Sequence, residues 1–531
     1  MGIKSRYSNI YFWFSLSVLS NVLNIGLIIL ITKAITLVEY YGVFLFLCLF
    51  SFFLLLYFTT NYFSSEKVNE YFSGLAALLR IELQRSVTNM KYEEMFSGDS
   101  GSAKVLLTRD VGNVESALKD FLEIANSIFI SFSLIIYMSL FYTEQVIVLI
   151  IGISIILPII FVIINNSKVR HNETREAFKK VSEDIDDSIN GFRELKQDVK
   201  KKKLFLDCVS NSNIYHLHRK QQFSWLYENK LSNIFNVSVY ILIVVVMIDF
   251  EKGHNNDWVF IMLMFMVISP ISIVIVKLPR IIEARMSYLN IKEFIDNHES
   301  DDNIDSNVES HIILDKGVDK LTFKDICYQY SDNRGFCFGP LSITLNKGTI
   351  NFITGGNGEG KSTLINLMSL LLKPTSGVVA LNDVEIKYDD FCLLQQNVSV
   401  VFQNPYIFDS FFYLDMNSVG NDFNNLIDIF GLKGKVYIKN GEVHGVNTLS
   451  FGERKRLSLI CALLEDNDVY ILDEWAADQD PYFRCVFYTE ILPSLKNEGK
   501  ILIVVSHDDD YFYLADYIYK IRQGKIISGD T

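Results

Sequence analysis

Residues 473–481, DEWAADQDP, place four acidic side chains in nine positions, directly after the apolar run Val469–Leu472. An acidic loop after a core strand is one interpretation, because loops often carry Asp. The other is chemical. Asp473 and Glu474 would form a metal ligand and a water-orienting base at the carboxyl end of a parallel strand, where open α/β sheets bind their ligands. Other motifs along the chain decide between the two.

A second string, GGNGEGKST at residues 355–363, follows a predicted strand at 349–354 and precedes an apolar helical run. This is the pattern GxxxxGK[ST] of a phosphate-binding loop, in the strand–loop–helix context that such a loop requires. Its glycines let backbone N–H groups surround phosphate oxygens, and the helix N-terminus adds the positive end of its dipole. We expect nucleotide contacts from the whole loop: Gly355, Gly356, Asn357, Gly358, Glu359, Gly360, Lys361, Ser362 and Thr363.

The two strings together predict a site that hydrolyses a nucleoside triphosphate. Lys361 would neutralise the β- and γ-phosphates, and the Ser362 hydroxyl would bind Mg²⁺. Asp473 would be the second protein ligand of that ion. Glu474 would polarise the attacking water, since such hydrolysis needs positioning and little covalent chemistry.

Five further residues have types and spacings that suit this site. Ser450 and Gly452, in TLSFGERKR, would present a second helix N-terminus to phosphate. Gln403 follows the apolar run VSVVF and can reach the metal or the water, while His507 follows ILIVVS and can hydrogen-bond the γ-phosphate. Tyr330 could stack on a base, with packing in the core as the alternative.

Composition narrows the class of protein. The chain has 531 residues, of which 50% are hydrophobic, and a net charge of −13. An acidic chain is a poor partner for nucleic acid, whose phosphates require a basic surface. The seven cysteines are scattered without a CxxC pair, which favours reduced thiols over disulfides or a zinc site.

The apolar residues are concentrated in the N-terminal half. Most of the stretches there have about 20 residues, enough to cross a hydrocarbon core of about 30 Å as a helix. We therefore expect six membrane-spanning helices and contact with membrane lipid. The predicted spans lie near 10–32, 41–63, 121–142, 145–166, 232–249 and 257–277.

Charge orients these spans. The long segments 67–119 and 168–230 are rich in Lys and Arg, whereas the links at 33–40, 143–144 and 250–256 are short and nearly free of them. Because positive residues favour the cytoplasm, both termini are predicted to lie inside. The chain is thus predicted to cross a membrane several times, with the C-terminal domain in the cytoplasm.

The pattern divides the chain into a membrane domain at 1–296, an acidic linker at 297–317 and a nucleotide-binding domain at 318–531. The linker sequence is polar and has little to bury. The long cytoplasmic segments have helical patterning, so the membrane helices are expected to continue past the bilayer. Their tips, at 90–101 and 186–196, are predicted to contact the nucleotide-binding domain, although simple exposed loops are the alternative.

In the order and spacing of its motifs, the chain resembles an ABC transporter of the exporter type. The resemblance implies an all-α, six-helix transmembrane domain followed by an α/β P-loop ATPase domain, with ATP and Mg²⁺ as cofactors. It also implies a homodimer, because each ATP lies between the Walker A motif of one subunit and the signature motif of the other. The matching segments are Walker A at 355–363, the Q-loop at Gln403, the signature at 449–453, Walker B at 471–474, the D-loop at 477–480 with Asp480 near the nucleotide, and the switch residue His507.

A narrower resemblance links the segments 473–500, 506–516 and 191–196 to bacterial exporters of cyclic peptides and siderophores. It implies ATP-driven export of a peptide, a cyclic peptide or a peptide siderophore across the bacterial inner membrane by a homodimer. Two other functions stay open: a lipid or lipopeptide flippase, and a membrane-anchored sensor or assembly protein that uses ATP without net transport. Glu453 departs from the usual Gln of the signature, and we expect that change to cost little.

Overall fold

The computed structural model describes residues 10–95, 100–249, 257–298, 317–330, 337–408, 411–412, 414, 416–439 and 442–530. The chain divides into two compact units, Met1–Ser300 and Asp301–Thr531. The helical unit comes first and the ATPase unit second. The predicted linker at 297–317 lies almost wholly outside the described residues, so it stays a prediction.

Six long helices make up most of the described part of the helical unit. Short helical turns connect them, at Ala34–Tyr41, Tyr92–Glu94, Phe192–Gln197 and Val199–Leu204. The helix Ser100–Val105 and a π-helical turn at Leu106–Asp110 lead directly into the third long helix, and a second π-helical turn at Phe205–Ser210 leads into the fifth. The six helices are α1 (Ile10–Thr32), α2 (Val43–Thr88), α3 (Val111–Ser139), α4 (Thr143–Asn190), α5 (Asn211–Asp249) and α6 (Asp257–Asn297).

Four helical stretches among the described residues are long and apolar enough to cross a membrane: Ile10–Thr32, Val43–Thr88, Gly101–Ser139 and Val259–Asn297. The other two predicted spans lie in α4 and α5, where many side chains are outside the described residues. Helix α2 has 46 residues, about 70 Å at 1.5 Å per residue, and so extends far beyond a hydrocarbon core of about 30 Å. The protein is therefore a membrane protein whose helices continue past the apolar layer.

Polar side chains inside the helical unit bond to one another. Asn21 Nδ2 donates to Asn126 Oδ1 over 2.8 Å, and Ser17 Oγ donates to the same oxygen over 3.2 Å. These bonds join α1 to α3. Interhelical bonding is thus the observed role of Asn21 and Asn126.

The predicted tips fall where long helices end. Helix α2 ends at Thr88, and residues 96–99 of the first tip lie outside the described part. Helix α4 ends at Asn190, after which Gly191 leads into Phe192–Gln197. Their contact with the ATPase domain stays a prediction.

The ATPase unit is built on a six-stranded sheet with the order β12-β11-β3-β10-β9-β6. Its strands are parallel apart from β12, which runs antiparallel to β11. Such a sheet aligns the carboxyl ends of its central strands at one edge. The strands are β3 (Ile350–Thr354), β6 (Val398–Val401), β9 (Val469–Asp473), β10 (Ile501–Val505), β11 (Tyr517–Arg522) and β12 (Lys525–Asp530).

Two smaller sheets complete the strands of this unit. An antiparallel sheet has the order β2-β1-β4-β5, and β7 pairs with β8 as a hairpin. Their strands are β1 (Lys320–Gln329), β2 (Cys337–Asn346), β4 (Ser376–Leu381), β5 (Val384–Ile386), β7 (Tyr437–Lys439) and β8 (Glu442–His444). The helices are α7 (Lys361–Met368), α8 (Phe391–Gln395), α9 (Met416–Ile429), α10 (Phe451–Glu465), α11 (Pro481–Val486) and α12 (Leu492–Asn497).

The central strands are apolar on both faces because helices cover the sheet, as parallel sheets require. All five residues of β10 are buried, and β9 is buried up to Leu472. Trp475, just beyond β9, is 1% exposed and stacks on Phe487 with 4.5 Å between ring centroids. The fold class predicted from the sequence is the one observed.

Candidate functional site

Four of the predicted site segments follow strands that end at the same edge of the sheet. The loop 355–363 follows β3, Gln403 follows β6, Glu474 follows β9 and His507 follows β10. The adjacent order β3-β10-β9-β6 brings them together. The order of strands in space therefore assembles residues that lie about 150 positions apart in the chain.

The loop 355–363 curls back on itself before helix α7 begins. Gly360 has a φ of 104° and Gly358 a φ of 79°, conformations that glycine adopts without steric cost. Lys361 Nζ donates to the carbonyl oxygens of Gly355 and Gly356 over 2.7 and 3.3 Å. Glu359 Oε2 accepts from the Gly356 N–H over 3.0 Å. The ammonium is thus held at the mouth of the loop, where a phosphate would bind.

Glu474 is the centre of the cluster. Gln403 Nε2 donates to its Oε2 over 2.8 Å. Its Oε1 lies 3.8 Å from Lys361 Nζ and 3.5 Å from His507 Nε2, and those two nitrogens are 3.1 Å apart. The side chains predicted to be catalytic, Glu474, Gln403 and His507, therefore converge with Lys361, as the roles assigned to them require.

Asp473 ends β9 with its carboxylate largely buried. Burial, and after it the neighbouring charge of Glu474, raise the pKa of Asp473 to about 6, opposed by the Gln403 backbone amide, Lys455 and Lys361. A divalent cation would favour the charged form of this carboxylate. Among the described residues, no cluster of three His, Cys, Asp or Glu side chains surrounds a metal position. The carboxylate of Asp473 suits Mg²⁺, which binds one or two carboxylates and fills its other positions with phosphate and water.

Ser450 and Gly452 lie at the start of α10, and Ser450 is its N-cap. A capping box forms, since Ser450 Oγ accepts from the Glu453 N–H over 3.4 Å and the Ser450 N–H donates to Glu453 Oε2 over 2.8 Å. Hydrogen bonds from Lys435 and then from the Ser450 backbone lower the pKa of Glu453 to about 2. Glu453 thus supports the loop as an ionised cap.

Gly452 has a steric requirement of its own. A Cβ there would lie 2.8 Å from the Asp478 carbonyl oxygen, and Gln479 Nε2 donates to the Gly452 carbonyl over 3.2 Å. In the described part of the chain, Ser450 and Gly452 bond to their own surroundings and not to Lys361 or Glu474. The structure therefore does not bring the signature residues into the Glu474 cluster of the same chain.

Two predicted nucleotide contacts have other described partners. Tyr330 Oη lies 3.0 Å from Thr363 Oγ1, its ring packs edge-on against Tyr328, and 38% of Tyr330 is exposed. It thus stands beside the phosphate loop with a free face. Asp480 caps helix α11, accepting from the Phe483 N–H over 3.0 Å. Nucleotide contact by both residues stays a prediction.

Sequence reasoning did not single out Lys455. Its side chain is fully buried, and its Nζ donates to the Glu474 carbonyl oxygen over 2.8 Å. The helical period gives only a partial signal: Lys455 lies four residues before the buried Leu459 of α10, but its neighbours Arg454 and Arg456 are typical of an exposed helix surface. A lysine on an apolar face requires a specific partner.

Comparison with known proteins places these motifs in a family. The model of the ABC transporter family matches residues 338–477. An ABC transporter ATP-binding protein of Listeria monocytogenes serotype 4b is 32% identical over 230 residues, covering 40% of this chain and 82% of that protein. The ATP-binding protein SyrD of Pseudomonas syringae pv. syringae is 26% identical over 471 residues, covering 85% of this chain and 82% of SyrD.

The fold has a solved counterpart over its whole length. A bacterial Atm1-family ABC exporter with ATP bound superposes with a TM-score of 0.79 at 15% identity, covering 100% of this chain and 95% of that one. At this identity the likeness concerns the fold alone. It extends over both the helical unit and the ATPase unit.

Proposed function

Because this chain belongs to the ABC transporter family and has the exporter-type fold, it couples ATP hydrolysis to transport, and we propose that its cargo is a peptide, a cyclic peptide or a peptide siderophore. The observation that supports the ATPase cycle is the convergence of Lys361, Glu474, Gln403 and His507 at one sheet edge. The cargo class is supported by the sequence resemblance of 473–500 and 506–516 to peptide and siderophore exporters. The similarity to SyrD extends over both units.

Each residue of the cluster has a distinct task in the proposed reaction. Lys361 holds the β- and γ-phosphates, and Glu474 orients the attacking water along the P–O bond that breaks. Gln403 positions Glu474, and His507 donates a hydrogen bond to the γ-phosphate. Asp473, Ser362 and Gln403 would hold Mg²⁺, which supplies neutralisation of phosphate charge when bound.

Two chains are needed in the proposed cycle. Ser450 and Gly452 stand apart from the Glu474 cluster of their own chain, so a second copy would supply them to the nucleotide held at Lys361. All these motifs are complete, which supports a homodimer with two hydrolytic sites. ATP binds the closed pair more tightly than the open one, and this difference in affinity drives the helical units between inward-open and outward-open states. The Lys and Arg distribution supports the inner membrane, with both termini in the cytoplasm.

An amphiphilic cargo also suits a groove in the helical unit. The groove has a volume of about 670 Å³, within the range of sites that bind drug-sized molecules. Its walls are mostly apolar, from Leu75, Leu79, Phe121, Ile281 and Tyr288, and charged side chains lie among them, including Glu82 and Arg285. Most of this lining lies beyond the predicted membrane spans. The groove therefore does not distinguish a peptide from a lipid or lipopeptide, and a flippase stays the second candidate.

The first experiment compares the culture medium with the cytoplasm by mass spectrometry. Cells would express the native chain, Glu474→Gln, or Glu490→Gln as a matched control on the exposed surface. Glu474→Gln should abolish ATP turnover while the protein still traps ATP. A peptide-like mass should disappear from the medium and accumulate inside these cells alone.

Three results would contradict the proposal. Unchanged ATPase activity in Glu474→Gln would remove Glu474 from the reaction. Normal secretion despite lost activity would separate hydrolysis from export. An unchanged secreted profile with altered lipid asymmetry would favour the flippase.

A further inference from the structure

We propose that Lys455 is a positioning residue that ties the backbone of Glu474 to the signature loop (449–453), so that nucleotide bound at that loop sets the Glu474 carboxylate of the same chain. The coupling rests on the proposed two-chain ATP site. The positioning itself rests on contacts within one chain.

Lys455 is buried to an unusual degree for a lysine, with a side chain that is 0% exposed. An ammonium loses strong hydration on burial and therefore requires compensating hydrogen bonds. Nζ donates to the Glu474 carbonyl oxygen over 2.8 Å and to Asp478 Oδ2 over 2.5 Å, and it lies 5.3 Å from the centroid of the Phe451 ring. Every one of these partners is in the signature loop or just after β9.

The main chain of Lys455 makes a second connection to the same segment. Its carbonyl oxygen accepts from Trp475 Nε1 over 2.8 Å. The Glu474 N–H donates to the Val505 carbonyl over 3.1 Å, so the peptide groups on both sides of Glu474 are held. These bonds fix the position and direction from which the Glu474 side chain starts, and the hydrogen bond from Gln403 then limits which rotamers its carboxylate can adopt.

The signature loop packs directly against the segment that Lys455 holds. Gly452 approaches Asp478 so closely that a Cβ would lie 2.8 Å from the Asp478 carbonyl oxygen. Gln479 Nε2 adds a hydrogen bond to the Gly452 carbonyl over 3.2 Å. Close-packed protein transmits a displacement instead of absorbing it. A movement at Gly452 must therefore displace Asp478, and with it the Lys455 ammonium.

In the proposed dimer this connection joins two nucleotides. The signature loop of one chain would meet ATP held by the partner, whereas Glu474 acts on ATP held by its own Lys361. Lys455 lies between the two positions within one chain. Occupancy of one site therefore biases the Glu474 carboxylate of the other, so the two sites are coupled through kcat and not through nucleotide affinity.

The test uses three variants of the full-length protein in lipid nanodiscs. Lys455→Met removes the charge and both hydrogen bonds while keeping an unbranched side chain. Lys455→Gln keeps an N–H donor without the charge. Lys496→Met is the control, since Lys496 also pairs with an aspartate, Asp516, over 2.6 Å but contacts none of the site residues.

The variants should keep the fold, because Asp478 is 44% exposed and can be solvated once its partner is lost. Steady-state ATPase rates are measured against ATP concentration, and binding is measured with a fluorescent ATP analogue. Lys455→Met should lower kcat by roughly 10- to 100-fold, the cost of misplacing a reacting group by about 1 Å. Affinity for the analogue should not change, and the Hill coefficient should fall towards one. Lys455→Gln should be intermediate and Lys496→Met should match the native protein.

Several outcomes would overturn the proposal. They are a native kcat in Lys455→Met, a parallel loss of nucleotide affinity, or the same loss in Lys496→Met. A Hill coefficient of one in the unmutated protein would show that its two ATP sites are not coupled. Should Lys455→Met fail to fold, native behaviour of Lys455→Gln would be decisive against it. Absence of ATPase activity in the native protein would instead contradict the proposed function.

Discussion

Asp110 in the helical unit and Glu474 in the ATPase unit are both carboxylates where several elements meet, yet their surroundings differ. Asp110 is 0% exposed; its Oδ1 accepts from Ser287 Oγ over 3.0 Å and its Oδ2 from Arg175 Nε over 3.1 Å. Oε2 of Glu474 accepts a hydrogen bond from Gln403 Nε2. Its Oε1 lies 3.8 Å from Lys361 Nζ and 3.5 Å from His507 Nε2.

The difference separates a structural carboxylate, Asp110, from the proposed catalytic one, Glu474. Both carboxylate oxygens of Asp110 have protein partners. Asp110 directly precedes α3 and bonds to Arg175 of α4 and Ser287 of α6, so it connects three helices. Glu474 has an oxygen close to groups that are themselves suited to phosphate. A carboxylate with both oxygens bound fixes a fold, whereas one with a loosely held oxygen can turn to a substrate.

The largest effect is expected when the side chains of Asp110 and Glu474 are each truncated to alanine. Asp110→Ala removes a fully buried carboxylate from the partly exposed Arg175. It should lower the free energy of unfolding by about 3 kcal/mol, the lower end for breaking a buried pair, because Arg175 can be solvated in part. Glu474→Ala should abolish hydrolysis with little change in stability. Thermal unfolding of both variants in detergent measures the difference.

The control for Asp110→Ala is Asp186→Ala. Asp186 pairs with Lys104 on the same unit, but both side chains are more than 40% exposed. Exposed pairs contribute about 1 kcal/mol or less. Equal destabilisation by the two changes would show that burial is not what gives Asp110 its importance.

A smaller effect is expected at Glu453, whose carboxylate accepts hydrogen bonds from Lys435 and the Ser450 N–H and so stabilises the signature loop. Its pKa is about 2 in the folded chain and about 4.3 when unfolded. The stabilisation is therefore fully present above about pH 4.3 and lost as pH falls towards 2. Glu453→Gln should cost about 1 kcal/mol at pH 7, since Lys435 is half exposed and solvent screens the pair. Unfolding curves of the native and variant proteins should converge in acid; a constant difference at all pH values would contradict this.

The smallest effect is expected at Asn126, within the membrane. Asn126→Ala removes the bonds from Asn21 and Ser17 and should cost about 0.6 kcal/mol, the average for polar contacts between membrane helices. Adding Asn21→Ala should cost little more, because the pair is already broken. Additive losses in this double-mutant cycle would show that the two residues act separately.

The reactive cluster could be predicted from the sequence because each of its residues follows an apolar strand within a local motif. Glu474, His507 and Gln403 lie at one edge of the sheet, since parallel strands align their carboxyl ends, and their catalytic roles stay a prediction. The cargo could not be predicted in the same way. The polar residues Asn21 and Asn126 of the helical unit bond to each other, so they do not indicate which ligand binds there.

Lys455 and Asp110 could not be predicted for a different reason. Their roles depend on contacts with distant residues, Asp478 and Glu474 for one, Arg175 and Ser287 for the other. In the sequence, a lysine beside Arg454 and Arg456 is typical of a solvated helix surface. Asp110 lies in a π-helical turn, Leu106–Asp110, that shifts the helical register. Only tertiary packing distinguishes these residues from their charged neighbours.

Glu474 also has a φ of 48°, a left-handed conformation that side chains other than Gly, Asn and Asp rarely adopt. Such a backbone costs about 1–2 kcal/mol relative to glycine. Replacement by Gly or Asn should therefore raise the melting temperature while removing the residue that is proposed to orient water. Directed evolution of this transporter for heat resistance alone would enrich inactive variants at this position. Selection for heat resistance and selection for turnover would thus oppose each other at residue 474.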